Sequence, residues 1–477
     1  MIDFKSFNYK YDNSEQMNIE DLTLNIQKGE CILITGNSGC GKTSLLRILN
    51  GLAPHYYSGG FSGEFRIANL GIGDSISEFS KIVGSVFQNP KNQFFHLDST
   101  SELAFSMENF GFTPQEILSK IKFISQKFNA ENLLDRNILE LSGGEKQKLA
   151  FMASMMLDAD IYVLDEITSN LDLKSIKLIA DIIKVLKDNG KTIVIAEHRI
   201  YYLRDIVDRM YILKEGKLLH HVDKYQLKDF DGTHCHTRQL DLKKVVIKEK
   251  EQKNYKKDYL ILENVSYKVN NKDIVHKRET FSTGNVYAII GENGCGKTTF
   301  ANVISGFVKH KGNIILDGQV INKNNLLKNC FQVMQDVNYQ LFTNSVVNEL
   351  KLGCKDFDNF DYVIDKLNIR NILDRHPNTL SGGEKQRVVI ASAILSEKKI
   401  LIFDEPTSGL DYKNMIYLSN LIRNVSKEND VVIFVITHDY EFLCNVADSV
   451  LMFDTNGISE SIEVIEKNKN KILSLMN

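Results

Sequence analysis

The chain repeats itself, and no local pattern restricts its architecture as strongly. GNSGCGKT at 36–43 returns as GENGCGKT at 291–298, and VFQNPKNQFF at 86–95 returns as VMQDVNYQLF at 333–342. LSGGEKQK at 141–148 returns as LSGGEKQR at 380–387, and IYVLDE at 161–166 as ILIFDE at 400–405. IVIAEH, ending at His198, returns as IFVITH, ending at His438. Landmarks that recur in one order predict a tandem duplication, each copy folding around a core of its own. The length of 477 residues agrees, because it exceeds what one ordinary core supports. The landmarks sit closer together in the second copy, so that copy is the more compact. The expected division is a first domain over 1–242, a linker over 243–258 and a second domain over 259–477. The linker stretch KKVVIKEKEQKNYKK is lysine-rich, with few large apolar side chains and no aromatic stacking platform, which reads as a solvated connector.

In each copy the first landmark lies between an apolar run and a helical one: CILIT and SLLRIL in the first, AII and TFANVI in the second. That order is a strand, a glycine-rich turn and a helix. The glycines let the backbone curl so that its N–H groups point at phosphate oxygens, a lysine reaches the terminal phosphates, a threonine can hold Mg²⁺, and the helix presents its positive end. The candidate nucleotide-binding residues are therefore Gly36, Asn37, Ser38, Gly39, Cys40, Gly41, Lys42, Thr43 and Ser44, with Gly291, Glu292, Asn293, Gly294, Cys295, Gly296, Lys297, Thr298 and Thr299. In IYVLDE and ILIFDE, four apolar residues before two carboxylates predict a buried parallel strand ending where open α/β sheets bind ligands. Asp165 and Asp404 then meet the Mg²⁺ shell, and Glu166 and Glu405 are placed to polarise an attacking water.

Ser142 followed by Gly143 and Gly144, and Ser381 followed by Gly382 and Gly383, read as N-caps with exposed backbone donors ahead of helical runs. A lone domain has no use for this second anion-binding helix end on one nucleotide. Two copies facing head to tail would place each LSGG turn against the other copy's glycine loop, with an ATP between them.

The order glycine loop, glutamine, LSGG, apolar-DE, SxLD and histidine resembles the ATP-binding-cassette (ABC) ATPases over nearly all of both halves. The resemblance implies an α/β fold of two tandem P-loop NTPase domains, each with a mostly parallel core sheet, an antiparallel β subdomain and a helical subdomain. It implies ATP hydrolysis with Mg²⁺, with Gln88 and Gln335 joining Thr43, Asp165, Thr298 and Asp404 around the cation. It also implies that Asp172 and Asp411 cross the interface and that His198 and His438 act beside Glu166 and Glu405 at the γ-phosphate. The composite sites would pair Lys42 with Ser381, Gly382 and Gly383, and Lys297 with Ser142, Gly143 and Gly144. Tyr11 aligns with the family's adenine-stacking aromatic; the second copy has Val269 there, and Tyr267, on the same strand face, is the expected substitute.

QNPKNQFF followed by SELAFSMENFG is similar, more finely, to the energy-coupling-factor (ECF) ATPases, which power uptake of vitamins and transition-metal ions. The second copy keeps Gln335 and Gln340 at the same spacing but has Val337 where the first has Pro90. This resemblance implies a groove that touches a transmembrane scaffold through Gln93, Gln340, Phe94 and Leu341. Its implied partners are that integral membrane scaffold and a substrate-binding membrane subunit, at the cytoplasmic face of the membrane.

Composition narrows the alternatives. A net charge of −3 gives no reason to expect a nucleic-acid partner. MIDFKSFNYKY lacks the apolar core of a signal peptide, and VVIFVIT at 431–437 falls far short of the ~20 residues that span a bilayer, so the chain is expected to be soluble and cytoplasmic. Seven cysteines without paired spacing argue against a disulfide framework, and His234-Cys235-His236, with His220 and His221, reads as solvated loop rather than metal site. The competing reading is a non-transport ABC protein, a nucleotide-gated clamp on ribosomes or DNA. The long arms or cysteine cluster of such clamps are not visible in the sequence. A catalytically dead scaffold would be expected to lose Glu166 or Glu405, and both are present.

Overall fold

The computed structural model describes residues 1–169, 171–247, 258–270, 272–354, 358–428 and 430–476. They form two compact units, Met1–Asp241 and Leu242–Asn477. Of the expected linker, 248–257 lies outside the described residues. The stretch just before it is only partly solvated: Lys243 and Val246 are exposed, but Val245 and Ile247 are buried, and the Ile247 N–H donates to Glu466 Oε2 at 3.4 Å. The surrounding lysines had masked two apolar anchors.

Each unit is built on a six-stranded sheet. In the first, the strands lie in the order Lys217–Asp223, Arg209–Lys214, Cys31–Gly36, Thr192–Ala196, Ile161–Asp165 and Val83–Val86. All neighbours are parallel except the edge hairpin of the first two. The second unit repeats the order with Gly457–Glu463, Ser449–Asp454, Val286–Gly291, Val432–Ile436, Ile400–Asp404 and Cys330–Val333. A four-stranded antiparallel sheet accompanies each: Ile19–Ile26, Ile2–Tyr11, Gly59–Ile67 and Leu70–Gly71 in the first unit. Its counterpart in the second is Lys272–Phe281, Leu260–Val269, Lys311–Leu316 and Gln319–Val320.

The central strands are mostly apolar and buried along almost their whole length because both faces are covered. Ile32 and Ile34 join a cluster with Phe4, Phe7, Tyr9 and Phe65 of the antiparallel sheet, whereas Cys31 and Leu33 join one with Phe151, Ile179 and Ile183 of the helical side. The helix Leu173–Asp188 buries Ile176, Ile179, Ile183 and Leu186 at three- and four-residue spacing, each burial favouring the fold by about 1.5–3 kcal/mol. Two covered faces leave the C-terminal edge of the sheet as the accessible polar edge. Gly36, Asp165 and Ala196 end neighbouring strands there, so the segments that follow them converge.

Candidate functional site

The glycine loop leaves the strand Cys31–Gly36 and enters the helix Lys42–Leu49. Gly36 has φ 144°, and a Cβ there would lie 2.2 Å from the Leu213 carbonyl oxygen; at Gly291, φ 149°, it would lie 2.3 Å from that of Phe453. Only glycine fits where the loop turns over its neighbouring strand. Lys42 is buried and curls back, its Nζ donating to the carbonyl oxygens of Gly36 (3.1 Å) and Asn37 (3.3 Å). Lys297 does the same to Gly291 (2.7 Å) and Glu292 (2.9 Å). Each loop thus holds an ammonium group beside curled backbone, the arrangement that anionic phosphate requires.

The paired carboxylates close the next strand. Burial pushes Asp165 up to about 6, with the charge of Glu166 adding and a hydrogen bond from Thr43 and the charge of Lys42 opposing. Burial likewise pushes Asp404 up to about 6, against the Thr298 hydroxyl, which donates to Oδ2 at 3.2 Å. Asp165 Oδ1 is buried without a hydrogen-bond partner. A threonine hydroxyl beside a buried carboxylate oxygen with a spare lone pair fits a hard, oxygen-seeking cation such as Mg²⁺.

One residue on, Glu166 and Glu405 take left-handed backbone, φ 44° and 49°, which glutamate rarely adopts. Burial alone would raise the Glu166 carboxyl, but His198 and Lys42 outweigh it and hold the group below its ordinary range. His198 Nε2 lies 3.2 Å from Glu166 Oε1 and 3.3 Å from Lys42 Nζ, and Gln88 Nε2 donates to Glu166 Oε2 at 2.8 Å. Lys42, Gln88, Glu166 and His198, distant in sequence, thus form one contact network. In the second unit His438 Nε2 lies 3.8 Å from Glu405 Oε1, and Gln335 is exposed.

Both LSGG turns open helices by a reciprocal cap. Ser142 Oγ accepts from the Glu145 N–H at 3.3 Å while Glu145 Oε2 accepts from the Ser142 N–H at 2.8 Å, and Ser381 with Glu384 repeats this at 3.4 and 2.8 Å. Ser142, Gly143, Ser381 and Gly382 are exposed and Gly144 and Gly383 partly so. Asp172 and Asp411 cap their own following helices, accepting from the N–H groups of Ser175 (2.8 Å) and Asn414 (2.7 Å).

Three expectations need correction. Tyr267 cannot stand in for Tyr11: it is buried, its hydroxyl pairs with His276 Nε2 at 3.0 Å, and its ring stacks on that imidazole. It repeats Tyr9, which is equally buried. Tyr11 is only partly buried, with Arg47 donating to its hydroxyl at 3.2 Å and lying 3.8 Å over the neighbouring Tyr57 ring. Gln93 and Gln340 are likewise not available to a partner. Gln93 accepts from the Phe87 N–H (3.2 Å) and donates to the Ser85 carbonyl (3.1 Å), and Gln340 does so with Met334 (2.8 Å) and Gln332 (2.7 Å). Phe94 and Leu341 are partly buried, and the exposed apolar rings are one residue further on, Phe95 and Phe342, 75% and 77% exposed.

Two sets of residues escaped the sequence reading. Glu102 accepts from the N–H groups of Phe95 and His96, both at 2.8 Å, and Glu349 from those of Phe342 (3.0 Å) and Thr343 (2.9 Å). Their equal spacing from Gln93 and Gln340 was the available signal. Glu197, immediately before His198, is buried in the first unit and has no acidic counterpart in the second, where Thr437 stands.

The ABC transporter family matches residues 19–169 and again 276–408. A putative ABC transporter ATP-binding protein of Treponema denticola is 39% identical over 98% of both chains. One of Clostridium perfringens is 29% identical over 100% of this chain and 94% of its own. Among solved structures, an archaeal ribosome recycling factor in complex with a ribosomal stalk protein aligns with TM-score 0.70 at 21% identity, covering 99% of this chain and 92% of that one. At that identity the likeness is one of fold.

Proposed function

We infer, from the premise that this chain belongs to the ABC transporter family and carries two of its ATPase domains in tandem, that its ATP hydrolysis drives a membrane importer. The cargo class proposed is a small micronutrient, a vitamin or a transition-metal ion, as the ECF resemblance of the first half suggests. Among the described residues no helix is long and apolar enough to cross a membrane, so the passage itself belongs to a partner.

One observation carries the transport reading. In both units the segment between glycine loop and LSGG turn is braced the same way, by Gln93 with Glu102 and by Gln340 with Glu349. Each brace holds out one aromatic ring, Phe95 or Phe342, that the core does not use. Buried polar groups spent on presenting an apolar ring, twice, suit a docking surface for the scaffold's helices.

At the nucleotide, the proposed roles are those the family resemblance implies, and the contacts within each unit support them. Lys42 and Lys297 would hold the terminal phosphates, and Thr43 with Asp165, and Thr298 with Asp404, would hold Mg²⁺, which when bound would neutralise phosphate charge. Gln88 and Gln335 would join that shell, as the resemblance implies. Glu166 and Glu405 take up the proton of the attacking water, and His198 and His438 fix the γ-phosphate beside them. The LSGG turns of Ser142 and Ser381 are read as closing on the ATP held by the opposite domain, as the family resemblance implies.

The test is coexpression with membrane proteins encoded next to this gene, pull-down from detergent, and an uptake assay. Phe95→Glu with Phe342→Glu should abolish copurification and uptake while leaving ATP binding intact. Recovery on ribosomes or DNA, with no membrane partner, would replace the importer by the clamp.

A further inference from the structure

We propose that Glu197 is a positioning residue for the first nucleotide site, tying the turn after Glu166 to the loop that carries His198. The inference rests on the reading of Glu166 and His198 as that site's hydrolytic pair.

The carboxylate of Glu197 is 1% exposed and accepts from five donors on two separate segments. Oε2 takes the Thr168 hydroxyl at 2.9 Å, the Thr168 N–H at 3.3 Å and the Tyr202 hydroxyl at 3.2 Å. Oε1 takes the N–H groups of His198 at 2.9 Å and Arg199 at 3.4 Å. Its own N–H donates to the carbonyl of Ile34, in the strand that feeds the glycine loop, at 3.1 Å. The side chain therefore links the turn that leaves Glu166 to the loop that opens with His198, while the backbone of the same residue joins them to the strand beneath Lys42. Glu166 and His198, 3.2 Å apart, are the two groups whose separation this link fixes.

The fold does not demand it. Burying a carboxyl group costs free energy that a neutral residue avoids. The second unit closes the same turn with Thr437, whose hydroxyl accepts from the Asp439 N–H at 3.0 Å, and whose N–H donates to Ile289 as Glu197 does to Ile34. There the counterpart of Thr168, Thr407, leaves its buried hydroxyl oxygen without a partner, so the tie between the two segments is missing at that point. The looser His438–Glu405 distance, 3.8 Å, is the corresponding geometry. A carboxylate kept where threonine suffices for folding is kept for what it holds in place.

Every group that faces Glu197 in these five bonds is a donor. Glu197→Gln has the same shape but presents an amide N–H₂ to some of those donors, so it opposes the tie while filling its volume. Steady-state ATP hydrolysis by the full chain, carried on a Glu405→Gln background so that the first site is read, should lose between about tenfold and a hundredfold in kcat, with KM for ATP within about twofold. A residue that only filled space would leave kcat unchanged. Should the Gln variant fail to melt cooperatively, Thr168→Val with Tyr202→Phe removes two hydroxyl donors without adding any, and must lower kcat in the same pattern. Unchanged kcat in either folded variant overturns the proposal. Glu166→Gln on the same background separates the two readings. If it also leaves kcat unchanged, the hydrolytic pair itself was misassigned. If it abolishes turnover while the Glu197 variants do not, only the positioning role falls.

Discussion

The two halves of this chain agree at the glycine loop and the paired carboxylates and part company around them. Lys42 and Lys297 curl onto the same pair of carbonyls, Glu166 and Glu405 share a left-handed backbone, and Asp165 and Asp404 are both pushed up to about 6 by burial. Against that constancy, the first half offers a partly exposed Tyr11 where the second has Val269, and a five-bonded Glu197 where the second has Thr437. If these loops and carboxylates hold a triphosphate and its cation, as proposed, that load leaves them little latitude, whereas the surroundings of the base and of the histidine are free to differ. On the proposed reading the first site is the elaborated one and the second is reduced to loop, carboxylates and histidine.

The largest expected effect tests what the halves share. Glu166→Gln with Glu405→Gln should still bind ATP while turnover falls by about 10²–10⁴-fold, the range for loss of a general base. The single variants then ask how equal the halves are. A greater loss from Glu166→Gln than from Glu405→Gln sharpens the comparison, and equal losses break it. Wild-type turnover in the double variant would remove both glutamates from the chemistry.

Next in size is the aromatic difference, where stability and binding should separate. Tyr267→Ala empties a buried ring site and should cost about 3–5 kcal/mol of stability. Tyr11→Ala should change melting little and weaken nucleotide binding by about 1–3 kcal/mol through lost base stacking. Val269→Ala should do neither to comparable extent. Thermal melting beside titration of a fluorescent ATP analogue distinguishes them. Equal losses of nucleotide affinity at Tyr11 and Val269 would show that the base contact is misplaced.

These contrasts also show what could be read in advance. The duplicated landmarks carried the architecture, because a glycine loop, an apolar strand ending in Asp-Glu and a capped turn each impose local geometry that neighbours do not override. Contacts between segments were harder. Alternation correctly placed Tyr267 on the same face as Val269, yet periodicity does not tell a covered face from an open one, and His276 on the adjacent strand covers it. Gln93 and Gln340 were singled out for the right spacing and the wrong partner: their amides hold the backbone of Phe87 and Met334, which no linear pattern specifies. Glu197 was passed over because a glutamate beside a histidine carries no periodic signal. Its meaning lies in Thr168 and Tyr202, which reach it through the fold.

The smallest expected effect is a difference in pH dependence between the halves. Burial first, and then the charge of Glu166, push the Glu197 carboxyl up to about 7, against hydrogen bonds from Thr168, His198 and Tyr202. The charged or titratable groups around it are Glu166, His198, Arg199 and Tyr202, and burial raises the Tyr202 phenol well above its usual range, so that hydroxyl remains a donor. The sign follows from what each form can accept. Above about 7 the carboxylate takes all five donors. As pH falls through about 7 it gains a proton, and one oxygen must then donate toward groups that are themselves donors. Turnover at the first site should therefore decline on the acidic side of about 7. The second site holds Thr437, which does not titrate, and the Glu197→Thr variant isolates the carboxyl from every other group of the first site. The measurement is the pH profile of kcat in the Glu405→Gln chain, which reports the first site, against the Glu166→Gln chain, which reports the second. An acidic limb present in the first, absent in the second, and lost from the first on Glu197→Thr is the expected result. Superimposable profiles would mean that the carboxyl's protonation does not reach the Glu166–His198 pair.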